Sequence, residues 1–351
     1  MLRSKRTNQV ERYELNRSPL AQNPTQSDLA KLLGMKRSEL RALATYRDTW
    51  IVRREAVISN KVRHLAYPRG KLRRVHERLK FHLKKIQQPD YLYSPRVGRS
   101  QRDYASLHLG QQQYLTLDLK QFYPSTTEGH IFDWAKHELG MRDDVAGLFT
   151  RLVSVDEAAS FGSPLTPVLA SLVHRKLFDA IAKLCKERGL RISLWVDDLT
   201  ISGNFVPGIL LNAIRELIRV HRLRSHKLRY RTGNRPVTLT GLLVDGDRLR
   251  APRTVHERIQ TYYEELSNAP NDVEAEIIIG RLLSALGSLR FIVGRSTNAA
   301  KSASDQMNTL RQRRSKSLRA AACPVVPAAE QYITDGNAPW VQSLENVEEA
   351  Q

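Results

Sequence analysis

Sulfur is scarce in this chain, which has two cysteines and four methionines in 351 residues. Cys185 and Cys323 stand in unrelated contexts with no CxxC spacing and no histidine cluster nearby. That excludes a disulfide framework and a thiolate zinc site, so any metal must be held by oxygen ligands. Long apolar runs are missing too. No stretch of about 18 apolar residues could span a bilayer. The opening MLRSKRTNQVERYELNRS has no apolar signal core, so a cytoplasmic protein with no membrane partner is expected. Negative charge is in deficit: 36 acidic residues face 56 Lys and Arg, a formal charge of +20, which asks for a polyanionic partner such as nucleic acid. What is abundant is apolar residues, 41% of the chain, enough for a substantial core.

No internal repeat is visible. Residues 1–24 read as a polar arm. TQSDLAKLLGMKRSELRALA follows, with apolar spacing that predicts two short helices around Gly34. Residues 50–68 alternate apolar with basic residues and predict a basic hairpin through Ser59-Asn60. Residues 69–88 predict a helix with Leu72, Val75, Leu79, Leu83 and Ile86 on one face and Lys and Arg over the rest. Further on, 114–124 reads as a buried strand, 168–188 as one long helix, 190–203 as strand, tight turn, strand, and 208–223 as a helix. Residues 237–250 read as a hairpin through Asp245-Gly246, and 255–315 as two or more helices. The stretch 318–351, rich in Ala, Pro and acid and holding the isolated Tyr332 and Trp340, is expected to be a disordered tail.

The chemistry concentrates at Trp195-Val196-Asp197-Asp198, where adjacent carboxylates sit between LRISLWV and LTIS. Strong β formers on both sides place them at a hairpin turn. Two like charges that close are tolerated mainly where a hard divalent cation neutralises them. Asp118 ends the apolar strand YLTLD, 79 residues before Asp197, a gap long enough for a crossover that lays the two strands side by side. Three carboxylates holding two magnesium ions roughly 3.5–4 Å apart would support in-line phosphoryl transfer from a nucleotide to a primer hydroxyl.

These motifs resemble reverse transcriptases, in order, over about residues 25–315. LDLKQFYPS is similar to the first catalytic motif, with Asp118 at the metal ligand and Tyr123 at the aromatic gate against a nucleotide 2′-hydroxyl. WVDD is similar to the YxDD box, matching Asp197 and Asp198. FGSPLTPVLASL (161–172) is similar to the segment under the incoming base pair, matching Gly162 with Phe161 before it. Lys61 and Arg63 match the basic hairpin that contacts the triphosphate, and Lys227 matches a lysine in the helix and loop beyond the catalytic hairpin, proposed to protonate pyrophosphate. Two further matches point to the retron group, which copies a dedicated structured non-coding RNA into RNA-linked single-stranded DNA: GRSQRDYASLH with the NAxxH signature (Ala105, His108) and LTGLLVDG with the VTG signature (Thr240, Gly241). The resemblance implies that these four residues lie around the cognate RNA.

The implied fold is α+β, a right-hand polymerase with fingers, a palm made of a small antiparallel sheet plus helices, and a helical thumb. Its divisions are an arm and short helices at 1–49, fingers and palm at 50–250, thumb at 251–317 and tail at 318–351. The implied cofactors are two Mg2+ ions. The implied partners are the RNA, its DNA product, deoxynucleotides and an accessory effector protein, in anti-phage defence. The chain departs from the pattern at Phe161, usually Gln, at Ser160, usually Pro, at Trp195, usually Tyr or Phe, at Tyr104, usually Asn, and at Leu239, usually Val. These departures leave open a related defence-associated enzyme that is protein-primed or template-free. A non-enzymatic helix-turn-helix binder built on residues 25–45 would explain the charge but not the ordered motifs.

Overall fold

The period-3.6 and period-2 patterns of the sequence become helices that cover both faces of one mixed sheet. The structure, a computed structural model, describes residues 12–58, 61–232 and 235–321. The first part of the arm, Ser59-Asn60 and the tail from residue 322, with Cys323, Tyr332 and Trp340, lie outside the described residues.

Two short helices, α1 (Gln26–Leu32) and α2 (Arg37–Thr45), form as expected. Thr25 and Asp28 make a reciprocal capping box at the start of α1, and Gly34, at φ +60°, ends it in the left-handed conformation that glycine adopts freely. Strands β1 (Ile51–Ile58) and β2 (Lys61–Pro68) pair antiparallel as the basic hairpin. Helix α3 (Gly70–Leu83) buries Leu72, Val75, Leu79 and Leu83. After β3 (Leu92–Ser94), α4 (Gln101–Ser106), β4 (Gln113–Leu119) and α5 (Phe122–Ser125) come α6 (Glu128–His137), α7 (Asp143–Val153) and a two-residue ribbon of β5 (Ser154–Val155) and β6 (Ala158–Ala159). A first core joins α1, α2, α3, α6, α7 and the next helix, α8 (Thr166–Val173), around Leu29, Leu79, Phe149 and Leu169.

The single helix expected over 168–188 is divided into α8 and α9 (Arg175–Lys186). The break falls at His174, which takes φ −98°, ψ 14° while its buried ring bonds the Thr126 hydroxyl at 3.0 Å. Strands β7 (Arg191–Trp195) and β8 (Asp198–Gly203) form the expected hairpin, followed by α10 (Gly208–Val220). Leu210, Ile214 and Ile218 of α10 recur every fourth residue and are buried. Strand β9 (Ser225–Thr232) has no counterpart in the sequence reading. The hairpin expected at 237–250 is a three-stranded meander instead, β10 (Val237–Leu239), β11 (Leu242–Asp245) and β12 (Arg248–Arg250). Its turns are Thr240-Gly241 and Gly246-Asp247, so Asp245 belongs to the strand. Helices α11 (Arg253–Ser267), α12 (Asp272–Val293) and α13 (Asn298–Ala321) close the described chain.

The central sheet runs β3-β7-β8-β4-β9, antiparallel except where β3 meets β7. Alternation assigns its two faces. Leu194, Leu199, Ile201, Leu115 and Leu117 face α9 and α10 in one core. Tyr114 and Trp195 lie on the opposite side, in a core shared with α4, the meander and α11 to α13. Each fully buried Leu or Ile contributes about 1.5–3 kcal/mol, so the two cores packed on opposite faces of the sheet fix its strand ends firmly. The architecture is α+β.

Candidate active site

Asp118 is the last polar residue of β4, and the sheet register sets it directly opposite Asp198. Across the β7–β8 hairpin Trp195 pairs with Asp198, leaving Val196 and Asp197 as a two-residue turn. Such turns need a positive φ at one or both positions, and Val196 supplies it at +59°. For a β-branched residue that conformation costs about 1–3 kcal/mol. It is held from both sides, because Val196 N–H donates to the Ser94 carbonyl at 3.0 Å and Leu119 N–H donates to the Asp197 carbonyl at 3.2 Å. The strained turn thus carries the Asp197 and Asp198 carboxylates to Asp118.

Burial, the charge of Asp118 and the charge of Asp198 together hold the Asp197 carboxyl well above the usual carboxylate range. Asp198 is raised by burial and by Asp118, against the opposing pull of Lys227. Two carboxyls raised in this way beside a third carboxylate are the electrostatic signature of a site completed by a cation. The cation within reach is Lys227, whose Nζ donates to Asp118 Oδ2 at 2.7 Å. Among the described residues no three His, Cys, Asp or Glu side chains are gathered as a ready-made metal cage, and Asp118 is engaged by the lysine instead.

Lys227 was expected beyond the catalytic hairpin in a helix and loop, and it sits in strand β9. Thr116 pairs with Arg229 and Asp118 with His226, so Lys227 and Leu228 oppose Leu117 alone. This bulge gives Lys227 a φ of +49° and turns its side chain to the carboxylates, the re-aiming that bulges provide.

Tyr123 and Phe161 meet with ring centroids 5.8 Å apart, and the Asp197 charge, after burial, raises the Tyr123 hydroxyl pKa. Arg63 lies over the Phe161 ring at 5.1 Å, a cation–π contact. Ala66 N–H donates to the Phe161 carbonyl at 3.0 Å. Gly162, at φ +121°, allows this approach, since a Cβ there would lie 3.3 Å from Tyr67 Cβ. Arg63, Tyr123, Phe161 and Gly162 therefore form one wall beside the carboxylates. Lys61 belongs to β2, but its side chain is outside the described residues.

The expected RNA contacts divide. Thr240 and Gly241 form the β10–β11 turn, with φ +47° and +84°, and line a cleft of about 510 Å³ against Gln101, Ser288 and Phe291. The reading of Ala105 and His108 as RNA contacts is corrected, because both are 0% exposed under the sheet, where no RNA reaches them. His108 bonds Ser202 and Ser193 at 2.6 Å each.

The chain matches no protein-family model. It is 33% identical over 99 residues to the retron Ec86 reverse transcriptase of Escherichia coli, covering 28% of this chain and 31% of that protein. It is 25% identical over 187 residues to the retron Se72 reverse transcriptase of Salmonella heidelberg, covering 50% of this chain and 47% of that one. The matches thus span less than half the length of these two relatives. Among solved structures, a telomerase from Candida albicans in complex with a fragment of telomeric RNA covers 74% of this chain and 56% of its own, at 10% identity and a TM-score of 0.43. In sequence, the chain is a divergent relative of the retron-type reverse transcriptases.

Proposed function

We propose that this protein is an RNA-directed DNA polymerase of retron type, which copies a cognate structured RNA into RNA-linked single-stranded DNA in phage defence. The observation that carries the reading is the meeting of Asp118 with Asp197 and Asp198 on neighbouring strands. On this reading the five-stranded sheet is the palm, the β1–β2 hairpin and the helices around it are the fingers, and residues 251–317 are the thumb.

The donor set suits magnesium, since all its side-chain ligands are hard carboxylate oxygens whose crowding a divalent ion relieves. Asp118, Asp197 and Asp198 would hold two ions, which when bound would activate the primer hydroxyl and neutralise the departing pyrophosphate. The chain's own groups do the rest. Arg63 is placed to leave Phe161 and grip the triphosphate of a deoxynucleotide. On this reading Tyr123 is the aromatic gate against a ribose 2′-hydroxyl. Lys227, a protonated amine at the carboxylates, can give a proton to the leaving pyrophosphate. The formal charge of +20 supplies the attraction for template RNA and product DNA.

Phe161, apolar and covered by Arg63, favours a second reading, a sister defence polymerase that is protein-primed or template-free. The deciding experiment is expression with the native flanking DNA, followed by sequencing of DNA that disappears in an Asp197→Asn, Asp198→Asn control. A discrete RNA-linked DNA from the neighbouring locus supports the retron reading, and heterogeneous DNA supports the sister group. If no DNA depends on the carboxylates, the polymerase reading fails.

A further inference from the structure

The face of the β7–β8 hairpin that carries Asp198 is polar inside the protein. Ser193, Thr200 and Ser202 are buried on it, with Ser193 paired to Thr200 and Arg191 to Ser202 across the hairpin. Tyr104 and His108 cover them. The Tyr104 hydroxyl meets Thr200 Oγ1 at 2.7 Å and the Asp198 carbonyl at 3.2 Å. A phenol has one proton, so the consistent arrangement is Thr200 O–H donating to Tyr104 and Tyr104 O–H donating to the Asp198 carbonyl. His108 bridges Ser193 on one strand and Ser202 on the other, and either tautomer leaves both ring nitrogens bonded, because each serine can donate or accept. The Tyr114 hydroxyl of β4 donates to the His108 carbonyl at 3.0 Å, tying the same residue to the strand of Asp118.

We propose that Tyr104 and His108 are positioning residues that set the register of the hairpin bearing Asp197 and Asp198 against the strand bearing Asp118. The proposal rests on the polymerase reading for its catalytic consequence. The apolar face alone cannot fix this register. A slip of one residue would turn Leu199 and Ile201 to the wrong side, but a slip of two that sets Ile201 opposite Leu117 keeps apolar against apolar there, with only Gly203 opposite Leu115. Such a slip moves the turn by about 6.7 Å, which takes its carboxylates away from Asp118. The polar face forbids it, because Arg191 or Trp195 would replace Ser193 beneath His108 and leave buried hydrogen-bonding groups unpaired. The Tyr104 ring adds edge contacts to Tyr93 and Trp195, at 5.6 and 6.0 Å between centroids.

The test uses full-length Tyr104→Phe, His108→Ala and the milder Ser202→Ala, each assayed for dTTP addition on a poly(rA)–oligo(dT) template-primer and for hydrogen exchange by mass spectrometry. The expected result is a kcat lowered roughly 10- to 100-fold, with the dTTP KM and template affinity within about twofold of wild type. Amide exchange should accelerate in residues 191–203 and stay unchanged in α12. A merely structural loss would accelerate exchange throughout. Wild-type kcat with weakened template affinity, or unaltered exchange across the hairpin, overturns the proposal. If the unaltered protein adds no dTTP, the polymerase reading has failed, and hydrogen exchange alone decides whether these residues hold the register.

Discussion

Acidification should destabilise this protein through three histidines that the fold keeps neutral. His76, His108 and His174 are 0, 0 and 2% exposed. Burial lowers His76 from 6.5 to about 4 against the opposing bond to the Leu152 carbonyl. Burial first, and the Arg191 charge second, lower His108 to about 3. Burial, then His130 and His221, lower His174 to about 3. The sign follows from linkage: below pH 6.5 the unfolded chain takes up protons that the native state refuses, so stability is lost as pH falls towards the native values. Between pH 7 and 5.5 each group removes about 1.2 kcal/mol, roughly 4 kcal/mol together, against a typical total of about 5–15 kcal/mol. Asp197 and Asp198 act in the opposite direction because their values are raised, so the measurement belongs in an Asp197→Asn, Asp198→Asn background. Urea unfolding at pH 7.0, 6.3 and 5.5 should show a steadily falling midpoint, and His76→Gln should lessen the loss between pH 7 and 5.5 by about 1.2 kcal/mol. A midpoint that stays level across this range would refute the neutral burial of these rings.

Two further outcomes are expected. Lys227→Met removes a pair between a half-exposed lysine and Asp118, whose side chain is only 16% exposed, so urea unfolding should move by about 1–3 kcal/mol. Single-nucleotide addition should fall by about 10²-fold or more, and an unchanged rate would end its assignment as proton donor. Gly162→Ala places a Cβ against Tyr67 at a backbone angle alanine rarely adopts, costing about 1–3 kcal/mol. It should also raise the deoxynucleotide KM by pushing β2 off Phe161, so wild-type stability together with wild-type KM would show that this contact is not needed.

The parts of the molecule legible in its sequence are those whose signal is local. YLTLD and LRISLWVDDLTIS announce strands by composition, the turn at Val196-Asp197 follows from their boundary, and LLGMK marks the α1–α2 break through its glycine. Strand β9 gives no such signal. Its SHKLRYRT lies at the sheet edge, where most side chains meet solvent, so no apolar alternation develops and the basic residues read as loop. The bulge that turns Lys227 towards Asp118 is likewise imposed by pairing with β4 and not by its neighbours in sequence. Thr240-Gly241 was hidden for a related reason, since threonine is rarely chosen for a positive φ.

His108 marks the deeper limit, because its meaning depends on residues 85 and 94 positions away. In sequence, only the resemblance to the NAxxH signature assigns this histidine to RNA. In the fold it faces two serines that would themselves pass for ordinary solvent-facing strand residues. Three polar residues on alternate positions of a strand pair normally indicate a solvated face, yet here that face is covered by α4 and by the core beneath the meander. A polar face is kept dry only if its hydrogen bonds are made within the protein, and those bonds are directional where apolar packing is not. The same substitution of direction for burial is what a catalytic hairpin needs, since Asp197 and Asp198 must arrive opposite Asp118 and not two residues away. The polar stripe beneath the hairpin and the acidic turn at its tip are therefore two consequences of one register.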